Sequence, residues 1–123
     1  ALAQMKEQTD LTICIYHGGF ECDLESGETL SQTTENVGYR ICKELDFDIL
    51  LTGHQHMSVP GRDISGTYTV QPCDNAKEYQ YLEVTMTDHE KSNPLRTASV
   101  RRGKGNGACG QVPFHRKCGA GMA

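Results

Sequence analysis

A chain of 123 residues, 37% of them apolar, has room for one domain and one modest hydrophobic core. Twelve basic and sixteen acidic residues leave a net charge of -4, an average that conceals a strong asymmetry along the chain. No apolar run approaches the ~20 residues that cross a bilayer, which excludes a membrane-spanning helix in this sequence.

All the acidic residues lie at or before Glu90, whereas the segment from Pro94 onward carries Arg96, Arg101, Arg102, Lys104, Arg116 and Lys117 and no acid. The cysteines, Cys14, Cys22, Cys42, Cys73, Cys109 and Cys118, form no CxxC pair and have no regular spacing. Cys14 and Cys42 fall inside apolar periodic segments, where a free cysteine acts as a small hydrophobe. Reduced thiols are therefore expected rather than a disulfide framework. No signal peptide is recognisable, and a chain that opens on Ala1 is expected to have lost a leader or to be cut from something longer, which leaves its location open.

In chain order, Leu11 to Tyr16 is a β-branched, aromatic run that ends at His17-Gly18-Gly19, the signature of a buried strand meeting a loop. Residues 20–32 are acidic and aperiodic and read as a surface loop. Thr33 or Thr34 is placed to cap a helix whose apolar stripe is Val37, Ile41 and Leu45 or Cys42, ended by Asp46. Phe47 to Leu51 is a second strand, running into Thr52-Gly53-His54-Gln55-His56. A strand, loop, helix and strand in succession make two parallel strands with a right-handed crossover. His17 and the His54/His56 pair are then expected at the C-terminal ends of neighbouring strands, where open α/β sheets place their ligands.

Pro60-Gly61 and Ser65-Gly66 mark turns, and residues 67–71 and 79–87 alternate as half-buried strands. The order β-α-β-β-β predicts an α/β unit with a mixed sheet over residues 1–90. Residues 91–123 lose this pattern and form a basic Gly/Arg-rich tail, expected to be disordered and to be a frame-shifted or appended extension.

Imidazole nitrogen suits Zn, Mn, Fe, Co and Ni. Two histidines one residue apart point in different directions on an extended backbone, which suits two adjacent ions more than one. Two ions about 3.5–4 Å apart can hold a phosphate and activate a water for in-line attack. Taken singly, His17 is more often a hydrogen-bonded loop residue than a ligand, and an isolated HxH arises often by chance; at the ends of neighbouring strands, His17, His54 and His56 together point to metal. His89 and His115 lie in polar or patternless surroundings and are read as bland.

The strand ending Tyr16-His17-Gly18-Gly19, the pair Glu35-Asn36 on the following helix, and the strand running into Gly53-His54-Gln55-His56 together form a specific combination. They resemble the second half of the calcineurin-like metallophosphoesterase domain, in particular the bacterial 5'-nucleotidase and 2',3'-cyclic-nucleotide 2'-phosphodiesterase group. Gln71-Pro72 and the strand from Tyr81 to Thr87 continue the likeness, which covers roughly residues 8–90. The resemblance implies a fragment of a four-layer α/β/β/α sandwich and two divalent metal ions in the parent. It implies that His17 and His54 bind one ion and His56 the other, and that Glu35-Asn36 support the site. The family's Asp-x-His, Gly-Asp and Gly-Asn-His-Asp/Glu blocks carry the bridging aspartate and the histidine that assists catalysis. They are expected upstream of Ala1, so no catalytic residue is assigned in this chain and its substrate-binding residues are unknown. Cys73 stands where the family has glycine after Gln-Pro.

The implied parent activity is metal-dependent hydrolysis of nucleotide or other phosphate esters, with the isolated chain expected to be inactive. Self-association through an exposed sheet is expected as well. The alternative is a metal- or nucleic-acid-binding module without catalysis. Arg101, Arg102 and Lys104 would make its phosphate contacts, but Phe114 is the one aromatic of the tail, so nucleic acid is not expected. A structural zinc site on His17, His54, His56 and Cys22 is a further reading. Family members are often secreted or held at the cell envelope.

Overall fold

A computed structural model describes the backbone of residues 1–75, 77–87, 95–104 and 107–117, and the side chains of residues 1–75 and 77–86. Among the described residues, helices α1 (Leu2–Gln8) and α2 (Gly38–Glu44) accompany seven strands. These are β1 (Ile13–Tyr16), β2 (Ile49–Thr52), β3 (Val59–Ile64), β4 (Thr67–Gln71), β5 (Glu78–Thr87), β6 (Leu95–Lys104) and β7 (Gly107–Lys117). The fold is thus α/β with a mixed sheet. No helix among the described residues is long and apolar enough to cross a membrane.

The first sheet has the order β1-β2-β4-β3. β1 pairs with β2 and β2 with β4 in parallel, and β3 closes the sheet antiparallel to β4. The central strands show why their sequences are so uniformly apolar or hydroxylated: a strand covered on both faces has no solvent side, and every residue of β4 is buried. One face packs against α2 through Phe20, Cys42, Leu50, Val59 and Ile64. The other face, carrying Tyr68 and Val70, meets Leu51 together with Leu82 and Val84 of β5. Buried threonines satisfy their hydroxyls on neighbouring carbonyls: Thr69 Oγ1 donates to Leu50 O at 2.9 Å and Thr67 Oγ1 to Phe47 O at 2.9 Å. At the N-terminal end of the parallel pair, the buried Asp48 carboxylate accepts from Thr12 N and Thr12 Oγ1, both at 2.8 Å.

Pro60-Gly61 is no turn. It lies inside edge strand β3, where the register shifts between Val59 and Arg62; an edge strand tolerates a missing N–H that a central one would not. Ser65-Gly66 is the turn between β3 and β4, with both residues at positive φ. α2 starts later than the threonines predict, because its cap comes from elsewhere. The Glu21 carboxylate accepts from Tyr39 N at 3.0 Å and Arg40 N at 2.8 Å, meeting first-turn donors that a local cap would otherwise satisfy. α1, which the sequence reading left unassigned, is built from good helix formers and is tied to the body by the Lys6–Asp46 ion pair.

Beside the expectation of a disordered tail after residue 90, the backbone at residues 95–104 and 107–117 pairs antiparallel in the order β5-β6-β7. An antiparallel ladder satisfies backbone donors and acceptors whatever the side-chain period. For residues 91–94, 105–106 and 118–123 that expectation lies outside the described residues.

Candidate metal site

β1 and β2 end level, with Tyr16 opposite Thr52, so the loops that follow leave the sheet side by side. Gly53 N donates to Gly18 O at 3.2 Å across them. The rings of His17 and His54 meet edge to face, centroids 5.2 Å apart and planes at 66°. Both residues are exposed. The sequence expectation that His17 and His54 share the C-terminal end of a parallel pair holds because the α2 crossover sets the two strands adjacent.

The backbone does not follow the extended path on which the sequence argument for His54 and His56 relied. His54 sits at φ 78° and His56 at φ 56°, both in the left-handed region. That conformation costs a side-chain-bearing residue free energy, and such outliers gather at functional sites. His56 stands outside the imidazole pair, and its carbonyl accepts from the Cys73 thiol at 3.8 Å. Among the described residues, no group of three or more His, Cys, Asp or Glu side chains converges in a form that could hold a metal ion. His89 lies outside the described residues, and the side chain of His115 outside the described side chains.

Glu35 and Asn36 both reach these loops. Glu35 Oε1 lies 2.8 Å from His54 Nε2. Asn36 Oδ1 accepts from Gly19 N at 2.8 Å. The Tyr16 hydroxyl donates to Glu35 O at 2.7 Å and accepts from Val37 N at 3.2 Å, locking the segment before α2 to the end of β1.

Sequence reasoning missed Gln55. Its amide acts as a substitute for a strand partner: Oε1 accepts from Phe20 N and Nε2 donates to Phe20 O, each at 2.8 Å. A Cβ on Gly19 would stand 2.0 Å from Gln55 Oε1, so glycine there is what admits the clasp. Gly18 is similarly excluded from bearing a side chain by the Tyr16 ring at 2.3 Å. Gly53, by contrast, would meet nothing within 4 Å. The only trace of the clasp in the sequence is the polar residue held between His54 and His56.

Cys73, after Gln71-Pro72, has its own partners. Its N–H donates to Glu78 Oε1 at 2.9 Å, and its thiol to Asp74 Oδ1 at 3.1 Å. That thiol, then Lys77, hold the Asp74 carboxyl down at about 2. The four cysteines among the described side chains, Cys14, Cys22, Cys42 and Cys73, are free thiols.

Comparison with protein-family models, curated proteins and solved structures found no match.

Proposed function

We propose that this chain contributes the imidazole ligands of a two-metal phosphoesterase site whose substrates are nucleotide or related phosphate esters. The observation that carries this is the pairing of His17 with His54 at the level ends of two parallel strands. Two imidazoles on one tetrahedral ion, with metal–nitrogen bonds of about 2.0–2.1 Å, set their ring centroids about 5 Å apart. The observed 5.2 Å suits such a shared ion.

His17 and His54 would hold one divalent ion of the Zn, Mn, Fe, Co or Ni type, and His56, outside that pair, would serve the second. Glu35 occupies His54 Nε2, which leaves Nδ1 as the ligating nitrogen. Ions in such a site supply Lewis-acid polarisation of phosphoryl oxygens and a lowered pKa for water. The chain's own work is to hold the two loops in register through Asn36, Gln55 and the close-approaching Gly18-Gly19. The sequence contains none of the family's carboxylate blocks, and two imidazoles alone bind an ion weakly. The chain by itself is therefore expected to bind metal without turning over a nucleotide.

Zinc titration by calorimetry, beside His17→Ala and His54→Ala, tests this. Binding that each substitution abolishes is the expected result. Binding that survives both, or no binding at all, would remove the proposal, as would nucleotide hydrolysis by the chain alone that His54→Ala leaves intact.

A further inference from the structure

β1 is the end strand of the first sheet and, among the described residues, is paired on one side only. Its sequence, Ile13-Cys14-Ile15-Tyr16, has none of the proline, lysine or bulge devices that blunt a natural edge. Ile15 is 82% exposed and Ile13 48%. Their rows continue straight into buried ground. Ile13 is level with Ile49 and Tyr68, and Ile15 with Leu51 and Val70. β5 covers that face at Tyr68, Val70 and Leu51, so the same apolar face runs on uncovered to β1.

The backbone says which groups face outward. Thr12 O accepts from Ile49 N on the β2 side. By alternation along a parallel ladder, Cys14 turns its N–H and C=O to β2, while Ile13 and Ile15 turn theirs to the open edge.

We propose that this edge takes a second copy of the chain, β1 against β1, antiparallel about a two-fold axis centred on Cys14. The reason for a second copy is self-complementarity. In an antiparallel pair, opposed residues share a face, so a two-fold through Cys14 sets Ile13 of each copy opposite Ile15 of the other. Those positions carry the outward N–H and C=O groups, so both Ile13–Ile15 pairs are hydrogen-bonded pairs. The flanking oppositions are Thr12 with Tyr16 and Leu11 with His17, which set no like charges together. The two Cys14 residues form the close, non-hydrogen-bonded pair at the centre, where Cα atoms stand about 4.5 Å apart, within the span of a disulfide. A four-residue strand buries far less than the roughly 800 Å² per partner of a stable complex, so the dimer is weak and reversible.

Sedimentation velocity over a range of concentrations tests it. The expected result is a monomer–dimer equilibrium that Ile15→Lys shifts toward monomer by about tenfold or more. Ile15 is exposed, so the variant should retain its circular dichroism. A monomer at every concentration, or association that Ile15→Lys leaves unchanged, overturns the proposal. The register is read separately, by oxidising the dimer with diamide and mapping the cross-link: a Cys14–Cys14 disulfide is expected. Its absence, or a cross-link that survives Cys14→Ser in full, overturns the pairing centred on Cys14.

Discussion

Glu35 Oε1 and His54 Nε2 meet at 2.8 Å, joining the segment before α2 to the loop after β2. A carboxylate on the far nitrogen of a ligating imidazole fixes its tautomer and orientation, and loss of such a partner typically costs 10–100-fold in metal affinity. Glu35→Ala is therefore expected to weaken zinc binding by about 10–100-fold, less than His54→Ala, in competition titrations with a chromophoric chelator. Unchanged affinity would show the contact to be an ordinary surface hydrogen bond.

The clasp between Gln55 and Phe20 predicts a stability phenotype with two independent entries. Phe20 is buried, and Gln55→Ala leaves its N–H and C=O without their partner, at a cost of about 1–3 kcal/mol. Gly19→Ala drives a methyl into the same amide, costing about 1–3 kcal/mol by overpacking. In urea unfolding the double variant should lose less than the two single losses together, since both act on one interaction. Full additivity would mean that the two sites act separately.

Asp48 ties the N-terminal ends of β1 and β2 by accepting from the backbone and hydroxyl of Thr12, which is itself buried. Asp48→Ala strands a buried donor, with an expected loss of about 1–3 kcal/mol. Thermal denaturation gives the size. Hydrogen exchange at the Thr12 amide gives the site, and an amide as slow in the variant as in the parent chain would dissociate the residue from that role.

Cys42, on the buried face of α2, has its thiol pushed up to about 12, first by burial and then by the charges of Glu21 and Asp63. The folded chain thus holds this proton more tightly than the unfolded chain, whose thiol titrates near 9. The resulting stabilisation is fully present below pH 9 and is lost progressively as pH rises from 9 toward 12. Stability measured from pH 8 to 11 should fall less steeply in Cys42→Ala than in the parent chain. Parallel curves for the two would contradict this. Cys42 should also resist iodoacetamide in the native state, because the thiolate is the reactive form.

The sequence by itself determined the parallel β1–α2–β2 unit and the placing of His17 and His54 at its C-terminal end. Apolar runs ending in glycine mark buried strands, and a helical crossover between them leaves almost one handedness and one neighbour. It also located the bounds of β4, but as a half-buried alternating strand, whereas every one of its residues is buried because both faces of the sheet are covered there. Tertiary structure decided what depends on groups far apart in the chain. The start of α2 is set by Glu21, eighteen residues before Tyr39, and not by a local threonine. Pro60-Gly61 lies in a strand because β3 falls at the sheet edge, a fact of strand order that no local pattern carries. The left-handed backbone at His54 and His56, and the exclusion of His56 from the imidazole pair, were likewise invisible in the spacing. Periodicity reports which face a residue shares with its neighbours; it does not report the backbone angle at a loop, which is set here by the Gln55 clasp and the close approach of Gly19.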